Sequence, residues 1–152
     1  MDRTFRLKPL LDLAQIHADA AARELGKLTA QDMEAGHRLQ LLLEYRNSYQ
    51  QKFQASMRDG LHNTEWHNYR EFMLKLDAAI AQQYRTVSGS RERTEAGRQR
   101  YRAEQTKLDS YDTLAKRHER KQAQFEDKRE QKELDEFATR ASFHGQRSLE
   151  NK

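Results

Sequence analysis

Six histidines are the first residues to weigh for chemistry, at His17, His37, His62, His67, His118 and His144. None lies three or four residues from another, the spacing at which one helix face offers two imidazoles to a metal ion. His62 and His67 come nearest, but across a stretch that reads as a bend, so solvated histidines near a turn are favoured over a zinc site. The chain has no cysteine, which removes disulfides and thiolate ligands and suits a reducing compartment. The glycines at 26, 36, 60, 89, 97 and 145 stand alone, and a phosphate-cradling loop needs them clustered after a strand. Serines and carboxylates are abundant but scattered, with no pocket to desolvate an acid/base pair. The reading is a binding protein and not an enzyme, with no catalytic residue, no cofactor, no metal and no small-molecule substrate.

Two patterns point to surfaces. Basic residues cluster as Arg91, Arg93, Arg98, Arg100 and Arg102 and again as Lys116, Arg117, Arg120 and Lys121. Nucleic acid would use such charges, yet acids interleave throughout, and Asp/Glu outnumber Lys/Arg six to three between 126 and 136. A solvated helical face of i to i+4 ion pairs or an acidic protein surface as partner accounts for them better. The second pattern is apolar. Tyr45 falls to one side of the arc that its helix buries, and Phe72 and Ala79 fall to one side of theirs with the same rotational sign. In antiparallel helices equal signs share a face, so Leu42, Tyr45, Tyr49, Phe72, Leu76 and Ala79 form one strip. Wide packing near the bend is the structural account; an aromatic strip with no third helix to cover it marks a partner site.

The elements that would hold this strip follow from periodicity. Only 36% of the 152 residues are hydrophobic and 34% are charged, too little apolar surface for a large globular core. Steps of four and three from Leu7 give Leu7, Leu11, Ala14, Ala18, Ala21, Leu25, Leu28, Asp32, Ala35, Leu39, Leu42, Arg46, Tyr49 and Phe53, of which twelve in fourteen are apolar. That is a coiled-coil seam over six heptads, and its alanines allow close approach of a second helix. The pattern breaks around Gly60, which can adopt a left-handed cap, while Asn63 or Thr64 can cap a new helix. A second seam runs Trp66, Tyr69, Met73, Leu76, Ile80, Gln83 and Val87, thins through Ser90, Thr94 and Gly97, and resumes at Tyr101, Leu108, Tyr111 and Ala115. The thin stretch from 88 to 98 is where fraying or a kink is expected.

These seams predict an all-α chain. One coiled-coil domain spans 1–152, with a first helix over 5–57, a hairpin bend over 58–64, a second helix over 65–141 and a frayed tail over 143–152. Pairing around residue 60 sets Tyr49 level with Phe72 and Leu7 level with Leu114. The second helix then outruns the first from about 116, and the molecule is expected to be a rod. The formal net charge is +4; residues 1 to 84 balance, so the excess belongs to the second half. No segment is apolar enough to span a membrane, and no N-terminal export signal is seen, which makes the cytoplasm the expected compartment.

Short motifs at matching spacing over nearly the whole chain resemble the flagellar FliJ family. They are Asp12-Leu13-Ala14, Ala21-Ala22-Arg23, Leu42-x-x-Tyr45-x-x-x-Tyr49, Trp66-x-Asn68-Tyr69-x-x-Phe72 and Leu76-x-x-Ala79-Ile80. Near the end stands Gln131-Lys132-x-x-Asp135-Glu136-Phe137-Ala138-x-Arg140-Ala141. The resemblance implies a long antiparallel two-helix coiled coil like the central stalk of rotary ATPases, at work in flagellar type III protein export and hence motility. It implies as partners the FliI ATPase hexamer with FliH, the cytoplasmic domain of the export gate FlhA, and export chaperones. The expected place is the cytoplasmic side of the inner membrane at the flagellar base. The family's gate-contacting residues carry onto Leu42, Tyr45, Tyr49, Phe72, Leu76 and Ala79, with Arg38 and Gln83 departing from the common pattern at the strip's ends. ATPase contacts carry over only by region, to the first helix's start and the overhang. The alternatives are a basic coiled-coil nucleic-acid-binding protein and the stalk of a virulence-type secretion system.

Overall fold

In the computed structural model, which describes residues 5–60 and 62–151, the chain forms two long helices packed against each other. Helix α1 runs Lys8–Arg58 and helix α2 runs Asn63–Glu150. The fold is all-α, as the periodicity requires, and no strand occurs among the described residues. Pro9 sits in the first turn of α1, where a missing N–H removes no intrahelical bond.

The bend between the helices is short. Gly60 has a φ of 87°, the left-handed conformation that costs glycine nothing. Asp59 and Gly60 donate backbone bonds to the carbonyls of Ser56 and Met57 at 3.2 and 3.3 Å, which closes the end of α1. At the start of α2 the backbone amides of Glu65 and Trp66 both donate to the carbonyl of His62, at 3.1 and 3.2 Å. The residue whose carbonyl accepts the first intrahelical bonds is the N-cap. His62 therefore holds that position, ahead of the expected Asn63 or Thr64.

Two further expectations are corrected. The stretch from 88 to 98 does not fray, since α2 passes through it unbroken. Ser90 and Thr94 are among the most buried residues of the chain. Thr94 remains polar at no cost because its hydroxyl donates to the carbonyl of Ser90 at 2.9 Å and lies 3.2 Å from that of Leu28. A Cβ on Gly97 would stand 2.7 Å from Leu28 Cδ1. The apolar pattern thins here because α1 supplies the bulk, with Leu25 and Leu28 filling the space the small residues leave. The tail expected over 143–152 is also helical as far as Glu150. Gly145 costs about 1 kcal/mol in a helix interior, which the good helix formers around it offset, and the Arg147 guanidinium lies 5.7 Å from the Phe143 ring centre.

By contact the chain divides into two units, His17–Gln105 and Met1–Ile16 with Thr106–Lys152. In the first, Phe53 stacks on Tyr69, Tyr49 meets Phe72, Gln83 donates to the Ala35 carbonyl at 2.9 Å, and His17 Nδ1 lies 3.9 Å from Glu104. Tyr49 with Phe72 and His17 with Glu104 each sum to 121, the register expected from a turn at residue 60. Ala18, Ala21, Ala35, Leu76, Ile80 and Val87 make its apolar core. In the second unit Phe5 packs on His118 with ring centres 5.6 Å apart, and Ala14 is buried. The overhanging end of α2 is helical as far as Glu150, and every described residue of it beyond Gln122 is exposed.

Each residue of the α1 seam from Leu7 to Phe53 is buried or half-buried. Such a seam gains little at any one level, because a CH2 group contributes about 0.8 kcal/mol on burial and many seam side chains here are alanine. Stability accumulates along the length of each unit.

Candidate partner-binding strip

Near the bend the side chains become aromatic, and there the strip takes shape. Tyr45 and Tyr49 stand one turn apart on α1, and Phe72 comes up from α2 between them. The Tyr45 and Phe72 rings meet edge to face at 6.0 Å, and those of Tyr49 and Phe72 lie 4.5 Å apart. Such pairs contribute about 0.5–1.5 kcal/mol beyond the area they bury. Tyr49 also stacks on Tyr69 at 5.4 Å, and Phe53 stacks on Tyr69 at 3.5 Å and 6°. Trp66 closes the series against Phe53 at 5.4 Å.

The sequence assigned Phe53, Trp66 and Tyr69 to the seam alone. In the structure they continue the strip as one ladder of six rings, from Tyr45 to Trp66. The signal for this was the aromatic spacing of four along α1 and three along α2 on both sides of the bend.

The expected strip residues do not share one environment. Tyr45 is 53% exposed, Leu42, Tyr49 and Phe72 are half-buried, and Ala79 is exposed. Leu76 is only 7% exposed and belongs to the core. Arg38 is engaged by Glu34 at 2.8 Å, and Gln83 is held by its bond to Ala35. Below the aromatic rungs Arg46 Nε donates to Asp77 Oδ1 at 2.7 Å. That hydrogen bond, and then the charge attraction of Asp77, raises the Arg46 pKa above its ordinary value. The arrangement offers flat aromatic faces beside a fixed charge, which suits recognition of a protein surface. Among the described residues no group of three His, Asp or Glu side chains converges to hold a metal ion, and no helix is long and apolar enough to cross a membrane.

The sequence model of a family described as "Flagellar FliJ protein" matches residues 3–147. This chain belongs to the flagellar FliJ family. It is similar to the Flagellar FliJ protein of Salmonella typhi, 30% identical over 137 residues that cover 90% of this chain and 93% of that one. Similarity to the Flagellar FliJ protein of Escherichia coli (strain K12) is 29% over 137 residues, with the same coverage. The match takes in both the strip and the last of the FliJ-like motifs, on the overhang. There Gln131, Lys132, Asp135, Glu136, Phe137, Ala138 and Arg140 are all exposed, and the Gln131 amide donates to Asp135 Oδ1 at 3.1 Å.

Proposed function

We propose that this chain serves flagellar protein export as a coiled-coil stalk, binding the FlhA export gate through the aromatic strip and the FliI ATPase ring through the overhang. The observation that carries the reading is the ring cluster of Tyr45, Tyr49 and Phe72, in which Tyr45 is exposed and the other two rings are half-buried beside it. Membership of the flagellar FliJ family supports the choice of system. In this reading Tyr45, Tyr49, Phe72, Leu42 and Ala79 touch the gate, Leu76 braces them from the core, and Arg38 and Gln83 mark the strip's margin. The stalk links ATPase to gate and hands over empty export chaperones, with FliH accompanying the ring. It acts in the cytoplasm, at the inner-membrane face of the flagellar base.

Pull-down of the cytoplasmic domain of FlhA by the purified chain tests the first contact. Removing a central aromatic anchor from an interface costs about 2 kcal/mol or more, so Tyr45→Ala should weaken gate binding severalfold and reduce motility. Binding to FliI should persist. Unchanged gate binding by a folded Tyr45→Ala chain would place the site elsewhere. Contact through aromatic faces should also depend weakly on salt, whereas a steep fall between about 50 and 200 mM is the signature of phosphate contacts and would favour nucleic acid.

A further inference from the structure

The groove next to the aromatic strip carries charge that contact through rings does not use. In a coiled coil, side chains seven residues apart share a face, and that spacing leads from the strip into the groove on both helices. On α1, Tyr45, Arg38 and Gln31 form one such row; on α2, Phe72, Ala79, Thr86 and Arg93 form another. The edge-to-face contact of Tyr45 with Phe72 puts the two rows on the same side of the hairpin. Away from the bend, this side therefore changes from aromatic to basic. Arg38, Gln31, Thr86 and Arg93 line the groove, together with Ala35 and Ser90, which are buried between the helices.

The two guanidinium groups converge. A helical side chain leans toward the N-terminus of its own helix, and in antiparallel helices those directions oppose. Arg38 reaches back to Glu34, 2.8 Å away. Arg93 reaches back over Gly89, with its Nη1 3.4 Å from where a Cβ on that glycine would stand. In the register that sums to 121, Glu34 is level with residue 87, so the two cationic heads differ in height by about 3 Å at 1.5 Å per residue. Glu34 is the one carboxylate among the described residues that line the groove. Its pair with Arg38 is exposed on both sides, and such pairs are weak. Asp32, at the height of Gly89, belongs to the seam and is not part of the lining. Arg93 has no ion-pair partner among the described residues, Glu24 of the facing row included. Two cations against one loosely held carboxylate leave room for a second, which a guanidinium can take bidentately.

We propose that the groove is the other half of the partner-binding strip, and that an aspartate or glutamate side chain of the protein that covers Tyr45 and Phe72 is held there between Arg38 and Arg93. This rests on the gate contact proposed above and adds its chemistry. The partner surface carries an acidic side chain about 20 Å from the patch that meets the rings, the distance set by the heights of the two features at 1.5 Å per residue. Two unlike contacts at a fixed separation set the direction in which the partner lies along the hairpin.

Titration calorimetry of the full chain with the FlhA cytoplasmic domain tests this. Arg93→Ala should weaken binding about 3-fold or more and Arg93→Glu about 10-fold or more, with helical circular dichroism and melting temperature unchanged. Raising salt from about 50 to 300 mM should weaken the parent complex modestly, since it screens exposed charges. The pair Arg38→Ala with Arg93→Ala should remove that dependence, and Tyr45→Ala should keep it. In Arg93→Lys, a carbodiimide, which joins an amine to a carboxylate in contact with it, should couple position 93 to an aspartate or glutamate of the gate domain. Parent-like binding by Arg93→Glu while Tyr45→Ala is weakened overturns the groove and leaves the strip standing. A complex of Arg93→Lys that forms without the cross-link does the same. If a folded Tyr45→Ala chain binds as the parent does, the gate reading falls and the groove with it. Loss of oligonucleotide binding by Arg93→Glu with gate binding intact would make the arginines a phosphate site, and also overturns the proposal.

Discussion

Tyr45 and Phe53 are both aromatic residues of α1 near the bend, yet their surroundings assign them opposite consequences. Phe53 lies flat on Tyr69 at 3.5 Å and joins the two helices, whereas Tyr45 touches its neighbours at 6.0 Å or more and is half exposed. Truncating Phe53 to alanine removes a packed interhelical contact and should cost about 2–3 kcal/mol. Truncating Tyr45 should cost less than about 1 kcal/mol. Thermal melts of Phe53→Ala and Tyr45→Ala check the contrast, and equal losses would make the whole ladder core. Asp32 presents a different case. It occupies a seam position, and its Oδ1 is buried without a protein hydrogen-bond partner. An unsatisfied buried acceptor costs about 1–3 kcal/mol, so Asp32→Leu, which also restores the apolar seam, should raise the melting temperature. A lower one would show that the carboxylate fixes the register of the helices.

At the scale of the helices, close approach in the thin stretch depends on Gly97. Gly97→Val places a β-branched side chain where a single Cβ already lies 2.7 Å from Leu28. Overpacking of this kind costs about 1–3 kcal/mol, which equilibrium denaturation should register, and a stabilised chain would mean that Leu28 moves aside freely. The overhang makes a complementary prediction. Every described residue of its helix beyond Gln122 is exposed, and isolated helices are marginal in water, so amides over 125–150 should exchange faster than those over 20–80. Equal protection would point to a partner already bound. Most of this architecture was legible in the sequence, because a seam read in steps of three and four depends only on which residues are apolar. The register followed from the position of Gly60. What the seam could not show was that serine, threonine and glycine pack as tightly as leucine when the facing helix supplies the bulk. It also gave no sign that His62 would displace Asn63 as the cap, since that choice rests on backbone geometry. Within the strip, Tyr45 and Phe72 were legible from their displacement on the helical wheel. Leu76 was read in both the seam and the strip, and its burial gives it to the seam, while the stacking of Phe53 on Tyr69 depends on rotamers that periodicity does not encode.

For the molecule as a whole, the proposed function assigns its two partners to different parts of the chain, and that separation can be tested directly. The aromatic strip belongs to the unit His17–Gln105, and the overhang to the unit Met1–Ile16 with Thr106–Lys152. Because every described residue beyond Gln122 is exposed, removing the overhang deletes no buried side chain. A chain ending at Gln122 should therefore keep the melting behaviour of the hairpin to within about 1 kcal/mol. It should bind the FlhA cytoplasmic domain as the full chain does and lose most of its affinity for the FliI ring. Tyr45→Ala in the full chain should show the reverse, with ring binding kept and gate binding reduced severalfold. In cells both variants should impair motility, and co-expressing them should not restore it, because a stalk that couples ring to gate must hold both contacts in one molecule. Restoration by the mixture would mean that the two contacts act in separate molecules, and the coupling role would fall even if each binding measurement came out as expected. Loss of both partners from either variant would mean a single site shared between them.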